Sequence, residues 1–165
     1  MLAPRNIPLV INDRIDIALA CGAQGVHLGQ SDMPVADARR LLPLHMFIGW
    51  SVETLDDVAR SARLPVDYLG VSPVFATPTK TDTLHPWGLE GLHRIRSATQ
   101  LPLVAIGGIH FGNARDVLLA GADGLAVVSA VCAAPDPCAA AGVLRRLVDT
   151  QHQRLPRVAP QSVDD

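Results

Sequence analysis

Six short apolar runs, recurring at roughly twenty-residue spacing and each ending in small or polar residues, constrain this chain more than any other feature. Residues 7–11 stop at Asn12-Asp13, residues 25–28 at Gly29-Gln30-Ser31-Asp32, and residues 47–50 at Ser51. Residues 68–71 run into Ser72-Pro73 and then Thr77-Pro78-Thr79-Lys80, residues 103–106 into Gly107-Gly108, and residues 125–128 into Ser129. Between the runs, residues 16–21, 34–42, 54–63, 89–99, 114–120 and 138–148 read as helices from their apolar spacing and end signals. A strand followed by a helix, six times over, predicts a parallel sheet with right-handed crossovers. In such a sheet every strand C-terminus emerges on one rim, where (β/α) barrels keep their chemistry. The polar run-ends are therefore expected to converge.

The 165 residues, 48% of them hydrophobic, suffice for one core and fall short of two ordinary domains. A net charge of −2 gives no electrostatic ground for a nucleic-acid or membrane partner. No apolar run reaches bilayer length and nothing near Met1 reads as a leader, so a cytoplasmic protein is expected. Cys21, Cys132 and Cys138 form an odd set without a C-x-x-C pair, which predicts reduced packing residues. Aromatics are scarce at 4%, as suits strands buried on both faces against small-residue helices. Residues 1–150 read as one α/β domain and residues 151–165 as a polar tail without periodicity. The strings Cys-Gly-Ala-Gln-Gly-Val at 21–26 and Ala-Gly-Ala-Asp-Gly-Leu at 120–125 predict a left-handed glycine cap before a strand.

Among the run-ends, Asp13 and Asp32 are candidate Mg²⁺ ligands, because two carboxylates from neighbouring strand ends can share a cation that bridges to phosphate oxygens. Each acid could equally cap the helix after it. Ser51 reads as standing at a helix entrance, where a hydroxyl beside backbone N–H groups holds phosphate, with Lys80 as the compensating charge. A plain cap and a solvated loop lysine are the bland alternatives. Residues 72–87 form a long proline-rich connection whose Thr77, Thr79, Thr81 and Thr83 hydroxyls, spaced by two, can face one anion. Gly107-Gly108 and Val128-Ser129 end the last two strands, where barrels build phosphate sites from backbone N–H groups; turn glycines and a cap explain them about equally well. His27 lies inside a strand and reads as packed or hydrogen-bonded, and no histidine pair has metal-binding spacing. No catalytic histidine is expected.

Taken together, Asn12-Asp13-Arg14, Gly25-Val26-His27-Leu28-Gly29-Gln30-x-Asp32, Gly49-x-Ser51, Thr77-Pro78-Thr79-Lys80-Thr81-Asp82-Thr83, Ile106-Gly107-Gly108-Ile109 and Val127-Val128-Ser129-Ala130 resemble the thiamine phosphate synthase family. The resemblance implies a TIM (β/α) barrel enzyme that joins 4-amino-5-hydroxymethyl-2-methylpyrimidine diphosphate to thiazole phosphate and releases diphosphate with Mg²⁺. It implies that Asp13 and Asp32 hold the metal, and that Asn12, Ser51 and Lys80 contact the pyrimidine diphosphate. Thr77, Thr79, Gly108, Val128 and Ser129 would hold the thiazole phosphate, with Ser51 and Lys80 carrying the catalytic load. Against the family's eight βα units this chain shows six, which implies a barrel lacking the first two and the Gln-Leu-Arg-x-Lys-type segment on the second strand. A fragment of that kind leaves strand edges exposed, and its activity alone is in question. Two rivals are a thiazole tautomerase, whose catalytic histidine follows the serine by two positions where this chain has Glu53, and a non-catalytic binder of phosphorylated ligands. A homo-oligomer is compatible with this reading.

Overall fold

The computed structural model describes residues 2–76 and 85–154. Strands β1 (Val10–Asn12), β2 (Gly25–Leu28), β3 (Phe47–Val52), β4 (Tyr68–Val71), β5 (Leu103–Ile106) and β6 (Gly124–Ala126) form one sheet in sequence order. Every neighbouring pair is parallel. Helices α1 (Ile15–Cys21), α2 (Val35–Leu41), α3 (Leu55–Ser61), α4 (Gly88–Ala98) and α5 (Ala114–Leu119) fill the crossovers, and α6 (Ser129–Cys132) and α7 (Pro137–Arg154) follow β6. The result is a half-barrel of the TIM-like type, with the parallel sheet that the alternation predicted.

Side chains alternate between two unlike faces along these strands. Val26, Leu28, Ile48, Trp50, Val52, Leu69, Val71, Leu103 and Ala105 form one core with Ala18, Ala38, Val58, Leu92, Ile95 and Val117 of the helices. Each fully buried Leu or Ile there contributes about 1.5–3 kcal/mol of transfer free energy. The opposite, inner face carries His27, Phe47, Ser51, Tyr68, Val104 and Ile106, all half-buried. Burial on both faces, expected from composition, therefore holds for the helix-covered face alone. Among the described residues β1 and β6 do not pair with each other, so the inner face is not closed over.

The helix-to-strand joints repay their glycines. Gly22 sits at φ 65°, ψ 40°, with Ala23 N donating to Ala18 O at 2.9 Å and Gly22 N to Leu19 O at 3.3 Å. Gly121, at φ 117°, makes the equivalent pair to Leu118 O and Val117 O. Both are left-handed caps of the kind the paired strings predicted.

A second device follows, at every other joint. Gln24, Asp67 and Asp123 each precede a strand, and each side chain accepts the N–H of a residue in, or immediately before, the preceding strand: Leu9 at 2.8 Å, Ile48 at 2.7 Å and Leu103 at 2.7 Å. Each also donates its own N–H to the same residue's carbonyl. Three reciprocal clasps thus tie β1 to β2, β3 to β4 and β5 to β6 at the N-terminal ends of the strands, away from the rim.

Two features differ from expectation. Helix α7 continues through residues 151–154, assigned above to the tail, because Leu144, Leu147 and Val148 anchor it and the His152 ring reaches Asp123 O at 2.8 Å. Its start is marked by Asp136, whose carboxylate accepts Ala139 N–H at 2.9 Å, and by Pro137 in the first turn. The Cys21, Cys132 and Cys138 side chains are free thiols in exposed positions rather than packing residues.

Asp123 also faces Arg96 at 3.2 Å, both side chains largely shielded. Replacing Asp123 by Ala strips the acceptor from the N–H of fully buried Leu103, and should cost about 1–3 kcal/mol in urea unfolding. Asp123→Asn keeps an acceptor and should lose less.

Candidate active site

Because the sheet is parallel throughout, the C-terminal ends of β1, β2, β3, β5 and β6 deliver Asn12-Asp13, Asp32, Ser51, Gly108 and Val128-Ser129 to one rim. Thr77, Thr79 and Lys80 lie outside the described residues. The two ends of their connection are nonetheless pinned: Trp87 N–H donates to Pro73 O at 3.0 Å and Gly88 N–H to Val74 O at 2.9 Å.

Neither aspartate caps a helix. Arg14 and Pro34 occupy the N-cap positions of α1 and α2, without side-chain caps. Asp13 instead takes up a left-handed backbone at φ 64°, unusual for a residue with a Cβ, and its Oδ1 accepts from Asn12 Nδ2 at 2.7 Å. Asp32 Oδ2 accepts Gly29 N–H at 2.6 Å, which folds the loop after β2 back on itself.

Ser51 requires a correction. It is a residue of β3 and not part of a helix entrance. The N-cap of α3 is Thr54, whose side chain accepts Asp57 N–H at 3.1 Å while Asp57 Oδ2 accepts Thr54 N–H at 2.9 Å. That capping box was legible as Thr54-x-x-Asp57. Burial pushes the Asp57 carboxyl up, yet hydrogen bonds from Arg60, Glu53 and Thr54 outweigh it and hold the group below the usual carboxylate range. Arg60 also lies over the Trp50 ring at 5.5 Å and donates to Gln30 at 3.3 Å, while Gln30 Nε2 grips Ser51 O at 2.6 Å. Ser51 is thus anchored through its backbone by a residue of the β2 loop.

Its hydroxyl is held from the inner face. Ser51 Oγ lies 2.9 Å from His27 Nε2, and His27 Nδ1 lies 2.9 Å from the Tyr68 hydroxyl. Strand register explains the reach, since His27 pairs with Gly49 and Gly49 with Tyr68, so the two rings meet across a position without a side chain. A Cβ at Gly49 would stand 2.0 Å from Tyr68 Cζ, and one at Gly70 would stand 2.8 Å from His27 Cε1. Asn12, opposite His27 in the β1–β2 pairing, brings the first candidate residue to the same place. His27 and Tyr68 are the site residues that sequence reading passed over. The available signal was the two-residue spacing of Gly49 with Ser51 and of Tyr68 with Gly70, which leaves room for rings on one face of the neighbouring strands.

At the far side of the rim, Gly107 and Gly108 adopt φ 100° and 64°. A Cβ at either would lie 2.7 Å from Pro73 or Phe75, so the loop after β5 and the stem of the long connection are pressed together. Asn113 braces the turn, donating to Gly108 O at 2.9 Å and accepting His110 N–H at 2.8 Å. Val128 is over half exposed and precedes the short α6 that Ser129 begins.

Burial pushes Tyr68 up to about 12. It is the single tyrosine of the chain, so ultraviolet titration reads it directly. The phenolate should stay absent at pH 10–11 and appear near pH 12 or on unfolding. Since the folded value lies above the unfolded value of about 10, this group's stabilising contribution is intact below pH 10 and is lost as pH rises toward 12.

Comparison with known proteins gives one consistent result. Residues 1–131 match the family described as thiamine monophosphate synthase. Over 149 residues the chain is 81% identical to a thiamine-phosphate synthase of Albidiferax ferrireducens, covering 90% of this chain and 68% of that protein. It is 53% identical to one from Chloroflexus aurantiacus over the same length and shares. The structure is similar to thiamine phosphate pyrophosphorylase from Pyrococcus furiosus, with a TM-score of 0.82, 40% identity, and 91% of this chain and 71% of that one covered. A chain matched to the family over residues 1–131, and at these identities to its members, belongs to the thiamine monophosphate synthase family.

Proposed function

We propose that this chain joins 4-amino-5-hydroxymethyl-2-methylpyrimidine diphosphate to thiazole phosphate, releasing diphosphate, with its chemistry on the C-terminal rim. The observation that carries the reading is the convergence of Asn12-Asp13 and Ser51 across His27, on adjacent strands of a family member. The six strands correspond on this reading to six units of an eight-unit barrel, in keeping with the 68% and 71% of its relatives that the chain matches. Small soluble substrates, and described helices none of which is long and apolar enough to cross a membrane, suit a cytoplasmic enzyme.

The residues present fit Mg²⁺. Asp13 and Asp32 offer hard oxygen donors that cap no helix, and among the described residues no cluster of three or more His, Cys, Asp or Glu suggests another metal. One or two protein carboxylates, with water and phosphate oxygens completing the shell, is how this ion is usually held. Bound there, it would neutralise charge on the diphosphate. Ser51 and Lys80 would add hydrogen bonds to that leaving group as the carbon–oxygen bond breaks and its electron pair departs with diphosphate. Asn12 would orient the pyrimidine, while Thr77, Thr79, Gly108, Val128 and Ser129 would hold the thiazole phosphate so that its ring nitrogen meets the methylene cation. No general base is needed at that step.

Incubation with both substrates and Mg²⁺ should yield thiamine phosphate and diphosphate. Binding of thiazole phosphate without turnover would favour the non-catalytic reading instead. Lys80→Ala should depress kcat on the order of 100-fold while changing thiazole phosphate affinity little, and Asp32→Asn should raise the Mg²⁺ concentration needed for half-maximal rate. Equal losses in turnover and thiazole phosphate affinity for Lys80→Ala would count against its place on the leaving group.

A further inference from the structure

Tyr68, His27 and Ser51 form an unbroken hydrogen-bonded line across three adjacent strands, and its direction can be worked out from the donors available. Tyr68 has one O–H, and among the described residues its hydroxyl meets only His27 Nδ1, at 2.9 Å. Its ring is packed between His27, with centroids 5.4 Å apart, and Phe47, at 6.3 Å. Were Nδ1–H the donor, the Tyr68 O–H would have no protein acceptor among the described residues, an arrangement less favourable than donating to the imidazole beside it. With Tyr68 donating, Nδ1 carries no proton and the neutral imidazole bears it on Nε2. That N–H then donates to Ser51 Oγ at 2.9 Å. A serine that accepts from His27 keeps its own O–H for another partner. The opposite tautomer would spend the Ser51 proton on His27 and turn oxygen lone pairs toward the rim.

We propose that His27 and Tyr68 are positioning residues that fix Ser51 as a hydrogen-bond donor toward an anionic oxygen at the rim. The proposal rests on the reading of Ser51 as a contact of the diphosphate. Neither ring touches substrate; both act through the serine. The glycines at 49 and 70 belong to the same device, since a Cβ at Gly70 would lie 3.1 Å from His27 Nε2 and 3.6 Å from Ser51 Oγ, and one at Gly49 2.3 Å from the Tyr68 hydroxyl. A line of hydrogen bonds pointing one way also polarises its last member, strengthening the donor that faces the anion.

Three measurements on the full chain test this. Nitrogen-15 NMR of the wild-type protein should find His27 in the Nε2–H form, and Tyr68→Phe should erode that preference; an Nδ1–H form in the wild type overturns the proposal whatever the variants do. Calorimetric binding of inorganic diphosphate should weaken in Ser51→Ala and in His27→Leu, with the double variant within about twofold of Ser51→Ala alone. In turnover, Ser51→Ala should lower kcat on the order of 100-fold and His27→Leu roughly 10-fold, again without further loss in the double variant. His27→Gln, whose amide N–H can still reach Ser51, should recover most of the loss, and KM for thiazole phosphate should hold within about twofold throughout. A merely structural His27 would instead give additive losses and no rescue, and that result overturns the proposal. Absence of turnover in the wild-type chain would defeat the synthase reading, while the tautomer and diphosphate-binding measurements would still decide the relay.

Discussion

Parallel register is the constraint on which the rest of this molecule depends. Because partners in adjacent parallel strands point to the same side, Val26, Ile48 and Leu69 fall together against the helices, and His27, Gly49, Ser51, Tyr68 and Gly70 fall together on the inner face. A slip of one residue in any strand would exchange those sets, placing histidine and serine among helices and leucine on the open face. The apolar face thus fixes the register energetically, and the register in turn assembles the polar line. Stability and site geometry are one arrangement seen from two sides.

The two ends of the strands divide the labour. At the N-terminal ends, Gln24, Asp67 and Asp123 clasp alternate strand pairs through reciprocal hydrogen bonds, which pairs the sheet as β1–β2, β3–β4 and β5–β6. At the C-terminal ends the residues are less conventionally placed, with Asp13, Gly107 and Gly108 all at positive φ. Positive φ at a non-glycine residue is costly and persists only where the surroundings hold it. Here the surroundings are the Asn12 carboxamide at Asp13, and Asn113 with residues 73–76 at the glycine pair. The proposed chemistry therefore sits at the end of the sheet whose loops are fixed by side-chain braces rather than by regular structure.

Much of this was readable beforehand, and for identifiable reasons. Strand and helix order follows from local periodicity, and the caps at Gly22 and Gly121 follow from glycine placed where a left-handed residue is needed. Thr54-x-x-Asp57 carries its own capping signature, and recognising it would have moved Ser51 from a helix entrance back into β3. The tail boundary failed because α7 ends in polar residues held by a tertiary contact, His152 to the Asp123 carbonyl, which no periodicity reports. His27 was read as a packed or hydrogen-bonded strand residue, and its partners Ser51 and Tyr68 lie 24 and 41 positions away, beyond any local pattern.

What the sequence determined alone was the alternation of strands and helices, the glycine caps that join them, and the rim on which polar residues would gather. These depend on period, propensity and turn chemistry within a few residues of one another. Only the tertiary structure decided which polar side chains touch, that neither Asp13 nor Asp32 serves as a cap, and that a tyrosine and a histidine stand behind the serine. Those outcomes rest on the relative register of separate strands and on space left by glycines on adjacent strands, and such distances exist only once the sheet has formed.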